Sequence, residues 1–331
     1  MIKVQNLRKV FRVHKKPPGL SASLKSLFRR DWIEKVAVEG ADFTVEEGEI
    51  VGLIGANGAG KTTLVKMLSG IIHPSAGEAR VLGYNPWEKQ DAFRRQISLI
   101  MGQKAQLWWD LPGADCFQLL REIYQIPQQQ FDHQLNRLTQ LLNVGEELNI
   151  QIRRLSLGER MKMELIAALL HSPRVVYLDE PTIGLDITTQ KAVRDFLLSY
   201  RKEESPAMIL TSHYMEDIER LCERIIIIRE GELIYDGSLR KVIEQYAPYK
   251  RLTLHLQNQT LDESSKEIFS KMGEKVKIQP DQVSIQVPRT NVTEVAAELL
   301  RRFKIHDLSI DEPEISDTIE ILMGGKDFRQ E

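Results

Sequence analysis

The sequence predicts an α/β protein: a mainly parallel, doubly wound sheet followed by a smaller α+β domain. Three observations predict it. From residue 156 the patterns alternate as helix MKMELIAALL, strand VVYLD, helix TTQKAVRDFLLSYRK, strand AMILTS, helix YMEDIERLC and strand RIIIIREGELI. Crossover helices between parallel strands produce that order. A glycine-rich stretch, GANGAGKT at 55–62, joins the apolar run EIVGLI to a helix starting at Lys61. After Gly237 the order becomes strand, helix, two strands, helix, strand, which reads as a ferredoxin-like fold.

Taken in order, residues 41–54, ADFTVEEGEIVGLI, alternate and then turn apolar, as a hairpin feeding a buried strand does. Residues 104–155 hold LWWDLPG, the helical pattern CFQLLREIY, a Gln-rich linker and FDHQLNRLTQLLNV, and read as a helical insert. Residues 251–324 give strand RLTLHLQ, a helix near DESSKEIFSKM, strands KVKIQ and VSIQV about a turn at Pro280 and Asp281, helix NVTEVAAELLRRF and strand HDLSI. The expected division is a first domain over 1–240, with a helical subdomain at about 104–170, and a second over 250–325; a chain of 331 residues has room for both.

Composition removes several function classes. Lys and Arg number 45 against 47 acids, and this balance argues against a protein that coats nucleic acid. Residues 1–35 nevertheless carry ten Lys or Arg against Asp31 and Glu34. Two cysteines, Cys116 and Cys222, are too few for a disulfide framework and fit a reducing compartment. MIKVQNLRKVF has no apolar signal core, and LIAALL and IIII are far shorter than the roughly 18 residues that cross a bilayer. A membrane role therefore runs through a partner.

GANGAGKT has the Gly-x-x-x-x-Gly-Lys-[Ser/Thr] spacing of a P-loop, in the strand–loop–helix context that motif requires. Gly55, Asn57, Gly58 and Gly60 expose backbone amides to phosphates, Lys61 brings a point charge to the β- and γ-phosphates, and Thr62 offers a hydroxyl to Mg2+ with Thr63 as a further donor. VVYLDEP places Asp179 and Glu180 at the end of an apolar strand, where the first suits the metal and the second a general base. In LSLGER, Ser156 and Glu159 form the S-x-x-E capping box of a helix start, whose amides and dipole could also hold a phosphate.

GANGAGKTT, Gln103 in IMGQ, LSLGER, VVYLDEP, GLD at 184–186 and TSH at 211–213 occur in the order and spacing of the ATP-binding-cassette (ABC) ATPases. The resemblance covers residues 1 to about 240 and is nearest to the ATPase subunits of ABC-2-type exporters. It implies a P-loop NTPase cassette, with a RecA-like core and helical subdomain, that hydrolyses ATP with Mg2+. It further implies that two copies pair head to tail as a homodimer and drive a separate polytopic permease at the cytoplasmic membrane face. On this resemblance Ser156 and Gly158 contact the γ-phosphate of ATP held by the other copy, although Leu157 and Glu159 stand where the family pattern has Gly and Gln. Gln103 resembles the residue that senses the metal and attacking water, His213 the one that hydrogen-bonds the γ-phosphate, and Asp186 one at the dimer seam, with a helix N-cap as its plainer reading. An aromatic residue upstream of the P-loop stacks on adenine in this family. Phe11 is the candidate, with Phe28 and Trp32 as alternatives and a simple core role equally open.

Two features stay outside that scheme. Trp108 and Trp109 lie where relatives receive a short permease helix, and adjacent tryptophans cannot both face the core; burial against the helical insert is equally open. In SASLKSLFRR, Leu24, Leu27 and Phe28 share a helical face beside Lys25, Arg29 and Arg30; this suits a headgroup surface or a permease flank, with an ordinary solvated charged face the favoured reading. The alternative function is a soluble ABC ATPase acting on nucleic acid or ribosomes. Against it stand a single P-loop, no sustained heptads and about 95 residues between Lys61 and Ser156.

Overall fold

The computed structural model describes residues 1–14, 32–102, 104–246, 249–257, 263–312 and 319. The chain divides into two compact units, Met1–Gly237 and Ser238–Glu331.

The first unit contains two sheets. Strands β1 (Ile2–His14) and β2 (Trp32–Val45) form a long antiparallel hairpin, with Ile2 opposite Val45 and His14 opposite Trp32. The chain then passes into β3 (Ile50–Ile54) of the other sheet and returns as β4 (Ala76–Val81), which pairs with the free edge of β1. The expected hairpin within 41–54 is therefore absent: β2 and β3 lie in different sheets, and the partner of β2 is β1. Alternation in ADFTV reports a half-buried strand; it carries no information about which strand lies beside it.

The larger sheet adds β5 (Ile97–Met101), β6 (Val175–Asp179), β7 (Ala207–Thr211), β8 (Arg224–Arg229) and β9 (Glu232–Ser238), in the order β5-β6-β7-β3-β8-β9. Strands β5, β6, β7, β3 and β8 run parallel. The single strand expected over RIIIIREGELI is two, because Glu230 and Gly231, with φ of 52° and 89°, reverse the chain between β8 and β9. A two-residue link with both residues left-handed closes a hairpin. Strand β3 is buried along its whole length, as a central strand covered on both faces must be. Val4, Leu7 and Phe43 of the small sheet share one apolar core with Leu53, Ile209 and Ile226 of the large one and with Leu64.

Helices α1 (Lys61–Leu68), α2 (Asp91–Arg94), α3 (Gly113–Tyr124), α4 (Gln128–Leu142), α5 (Leu157–Leu169), α6 (Ile187–Glu204) and α7 (Met215–Leu221) accompany this sheet. The Gln-rich stretch expected to be a linker is the first turn of α4, with Pro127 as N-cap. Gln is a good helix former, and a proline just ahead of a helix fits its start.

The second unit begins with α8 (Leu239–Tyr246) and continues as β10 (Tyr249–Leu256), α9 (Glu263–Met272), β11 (Glu274–Ile278), β12 (Gln282–Pro288), α10 (Val292–Arg302) and β13 (Ile305–Asp311). The sheet order is β11-β12-β10-β13 with every neighbouring pair antiparallel, the split βαβ arrangement of a ferredoxin-like fold. Alternate residues Leu252, Leu254 and Leu256, with Val283, Ile285 and Val287, face the helices, and Phe269 stacks on Phe303 at 4.6 Å between ring centroids. Among the described residues no helix is long and apolar enough to cross a membrane.

Candidate functional site

The loop between β3 and α1 builds the first part of the site. Gly60, at φ 117°, ends it in a conformation L-residues avoid, and a Cβ there would lie 2.2 Å from the Ala37 carbonyl oxygen of β2. Glycine is required on both counts. Lys61 is only 6 % exposed, and its Nζ donates to the carbonyls of Gly55 at 2.6 Å and Ala56 at 3.1 Å. Burial lowers its pKa from the ordinary lysine value, partly opposed by the charges of Glu180 and Asp179. The ammonium thus sits in the loop with acceptors around it, where phosphate oxygens could take over from the carbonyls.

The tips of β6 and β7 supply the second part. Thr62 Oγ1 donates to the Asp179 carboxylate at 3.1 and 3.3 Å, and Thr211 Oγ1 donates to Asp179 Oδ1 at 2.6 Å. The Glu180 amide donates to the Thr211 carbonyl at 3.0 Å, and the Glu180 Oε1 to His213 Nε2 distance is 2.7 Å. Glu180 has φ 58°, a left-handed conformation that costs a non-glycine residue about 1 kcal/mol and is typical of side chains aimed by the surrounding structure. Gly102, just past β5, permits this turn: a Cβ on it would lie 2.0 Å from the Glu180 carbonyl oxygen.

A cleft of about 300 Å³ opens over these groups. Asn57, Gly58, Gly60, Lys61, Thr62, Thr63 and Glu180 line its floor, and the β1–β2 hairpin adds Phe11, Val13, Lys35 and Ala37. Phe11 is therefore placed beside the P-loop. Its half-buried ring is also covered by Lys9, whose Nζ lies 5.1 Å from the ring centroid. Trp32 lies opposite His14 and is not among the residues lining the cleft; Phe28 and the 15–31 stretch lie outside the described residues.

The residues suit Mg2+. Thr62 and Asp179 bring hard oxygen donors together. That is the pattern of a metal held through one hydroxyl, one carboxylate, waters and substrate phosphates.

Ser156, Gly158 and Asp186 lie apart from this cleft. Ser156 is the N-cap of α5: its Oγ accepts from the Glu159 amide at 3.3 Å, while Glu159 Oε2 accepts from the Ser156 amide at 2.8 Å. The Ser156 amide foremost, and then the Ser156 hydroxyl, which donates to Glu159 Oε2 at 2.8 Å, lower the Glu159 pKa. Gly158 packs against Thr189, where a Cβ would come within 3.0 Å. Asp186 is the N-cap of α6, accepting from the Thr189 amide at 3.0 Å and Thr189 Oγ1 at 2.7 Å, so its plainer reading holds as geometry. None of the three lines the cleft. Gln103 lies outside the described residues. Trp108 and Trp109 are both exposed, and the Arg160 guanidinium lies 5.2 Å from the Trp109 ring centroid. Sequence reasoning missed Lys35, Ala37 and Gly102, whose relevance depends on which strands become neighbours.

Comparisons agree with this geometry. The "ABC transporter" family model matches residues 38–183, and that of the "EvrA-like ABC transporter, C-terminal domain" matches 248–311. The ABC transporter ATP-binding protein NatA of Bacillus subtilis is 31% identical over 208 residues, covering 63% of this chain and 84% of that protein. The daunorubicin resistance ATP-binding protein DrrA3 of Streptomyces coeruleorubidus is 32% identical over 205 residues, covering 62% and 64% respectively. Among solved structures, an ATP-binding subunit of an ABC transporter superposes with a TM-score of 0.61 at 24% identity, over 74% of this chain and 93% of that one. A dimeric cassette in a post-hydrolysis state with ADP and Pi gives 0.60 at 21% identity, over 72% and 99%. With its P-loop, its paired acids and these relatives, the chain belongs to the ABC transporter family as an ATP-binding, ATP-hydrolysing cassette.

Proposed function

We propose that this chain dimerises head to tail around two ATP molecules and powers a separate polytopic permease, as the ATPase of an ABC-2-type exporter. The observation that carries the reading is the hydrogen-bonded pair Glu180–His213, 2.7 Å apart, beside the Thr62–Asp179 oxygens at the mouth of the P-loop. In this reading Lys61 exchanges the carbonyls of Gly55 and Ala56 for phosphate oxygens. The amides of 55–63 cradle the phosphates, and Phe11 stacks on adenine. Thr62, Asp179 and Gln103 hold Mg2+, which screens the phosphate charge. Glu180 takes the proton of the attacking water, with His213 holding that carboxylate and the γ-phosphate in register.

The cleft has a floor and one wall. The dipole end of α5 at Ser156, with Gly158 and Asp186, lies elsewhere on the same chain, which supports closure of the site by a second copy in which those residues cap the γ-phosphate. ATP contacts made only in the closed dimer shift the equilibrium towards it, and hydrolysis releases it. Likeness to DrrA3 supports the exporter assignment, and the exposed Trp108–Trp109 pair fits a permease contact, which would bring the chain to the membrane.

Glu180→Gln is expected to bind ATP, hydrolyse it at most at about one-hundredth of the parent rate, and accumulate as a dimer. Light scattering in saturating Mg-ATP showing only the 38.1 kDa monomer would sink the dimer reading. An affinity pull-down of the same variant from solubilised membranes checks the transporter reading. A stoichiometric polytopic protein supports it, whereas ribosomal or DNA-repair subunits alone overturn it.

A further inference from the structure

The segments that carry Glu180 and His213 are joined through an ionic network, buried at Asp217 and Arg194, that the proposed chemistry does not use. Asp217, at 0 % exposure on α7, accepts hydrogen bonds at Oδ2 from the hydroxyls of Thr182 and Ser212, the second at 2.6 Å. Its other oxygen, Oδ1, takes Nη1 of Arg194 at 2.9 Å, and Arg194 Nη2 reaches Glu216 Oε1 at 2.9 Å. Arg194, on α6, is itself 2 % exposed. The Ser212 hydroxyl also accepts from the Tyr214 amide at 3.0 Å.

The positions of these partners along the chain carry the inference. Segment 179–182 leaves the tip of β6, and segment 211–213 leaves the tip of β7. Three side-chain bridges tie the two together. Thr211 holds Asp179, His213 holds Glu180, and Asp217 holds both Thr182 and Ser212. The two segments that carry the reacting pair are thus joined at Asp179 and at Asp217 as well as at the pair itself.

Net stability is a poor account of the Asp217–Arg194 pair, because desolvating two charges costs about as much as their attraction returns, and apolar replacements of equal volume often do better. What a satisfied buried carboxylate does supply is direction: its fixed acceptor oxygens dictate where two hydroxyls, and so two loops, must sit.

We propose that Asp217, acting through Thr182 and Ser212, is the positioning residue that sets the Glu180–His213 geometry for hydrolysis. This rests on Glu180 being the general base. Asp217 touches neither nucleotide nor water in this scheme, and Arg194 is its counter-charge.

The test uses the full-length chain and isosteric changes that leave the buried charges paired. Thr182→Val and Ser212→Ala are each expected to lower kcat for Mg-ATP about ten-fold, since small misplacements of reacting groups are costly. KM for ATP and the affinity for a fluorescent ATP analogue should stay within about two-fold, as ground-state binding is untouched. Thr182→Ser, which keeps the hydroxyl, should recover most of the turnover that Thr182→Val loses. A merely structural role would lower Tm while leaving kcat per folded molecule unchanged, and that result for both variants overturns the proposal. Should Thr182→Val not fold, a normal kcat in Ser212→Ala alone overturns it. Glu180→Gln, run alongside, separates the two levels. Undiminished hydrolysis there removes the general-base reading and this proposal with it, whereas an inactive Glu180→Gln beside normal Thr182→Val and Ser212→Ala removes the positioning role alone.

Discussion

Gly102 shows how much a single missing methyl group can decide. It precedes Gln103 and looks like an unremarked turn residue, yet its Cα approaches the Glu180 carbonyl so closely that a Cβ would lie 2.0 Å from that oxygen. The obstacle is backbone, which cannot swing aside as a flexible side chain can. Gly102→Ala should therefore shift the Glu180 turn, lowering stability by about 2 kcal/mol and ATPase activity by more than about ten-fold. Chemical denaturation and steady-state hydrolysis measure the two effects. Normal activity in this variant would mean that the turn at Glu180 tolerates displacement, contrary to the close approach. Nothing in IMGQ announces this role, because it exists only once β5 and β6 lie side by side. By contrast GANGAGKT and VVYLDEP are legible, since each packs its determinants into one contiguous stretch.

At the scale of elements, the start of α5 is asked to do two jobs, and one substitution separates them. The reciprocal bonds of Ser156 and Glu159 cap the helix, and the same exposed amides are proposed to face a phosphate. Ser156→Ala should cost about 1 kcal/mol of stability through the lost cap. Ser156→Asp is the sharper test, because aspartate is as good an N-cap as serine but places a negative charge where the γ-phosphate would arrive. Its thermal stability should fall no further than that of Ser156→Ala, because the cap is kept although the Glu159 carboxylate, which accepts from Ser156 Oγ at 2.8 Å, opposes the new charge, while its ATP-dependent dimerisation fails. Retained dimerisation would show that the helix start meets no phosphate. The capping box was readable because it spans four residues. The order β5-β6-β7-β3-β8-β9 was not, since hydrophobic period reports which face is buried and is silent on neighbours. The break between β8 and β9 was missed for a related reason: apolar residues resume at once after Glu230 and Gly231, and only the left-handed backbone of those two residues marks the reversal.

For the whole molecule, the pH dependence of folding should owe part of its acid side to a histidine that does not line the cleft. His171 follows α5, with Nε2 3.1 Å from the Ile97 carbonyl and its ring stacked on Tyr124 at 3.9 Å, while Nδ1 is buried with no partner among the described residues. Burial pulls its pKa from 6.5 to about 4. The neutral ring is the form that folds. Above pH 6.5 both folded and unfolded chains hold it neutral; as pH falls towards 4 the unfolded chain takes up the proton first, and up to about 3 kcal/mol is lost. Urea midpoints should therefore fall between pH 7 and 4.5 in the parent and fall less steeply in His171→Phe, which retains a ring against Tyr124 and cannot titrate. Parallel curves would assign the acid sensitivity to other groups.

The contact between the β1–β2 hairpin and the P-loop has a consequence for descent. Gly60 is held to glycine by the carbonyl of Ala37, and Gly55 by that of Ile228, 2.3 Å from where a Cβ would stand. Neither constraint involves a nucleotide. A lineage that gave up hydrolysis while keeping this fold would still be purged of substitutions at both positions, yet would be free to drift at Lys61, Glu180 and His213. In chains built on this plan, intact glycines record inherited architecture, and the charged residues beside them record whether the engine still runs.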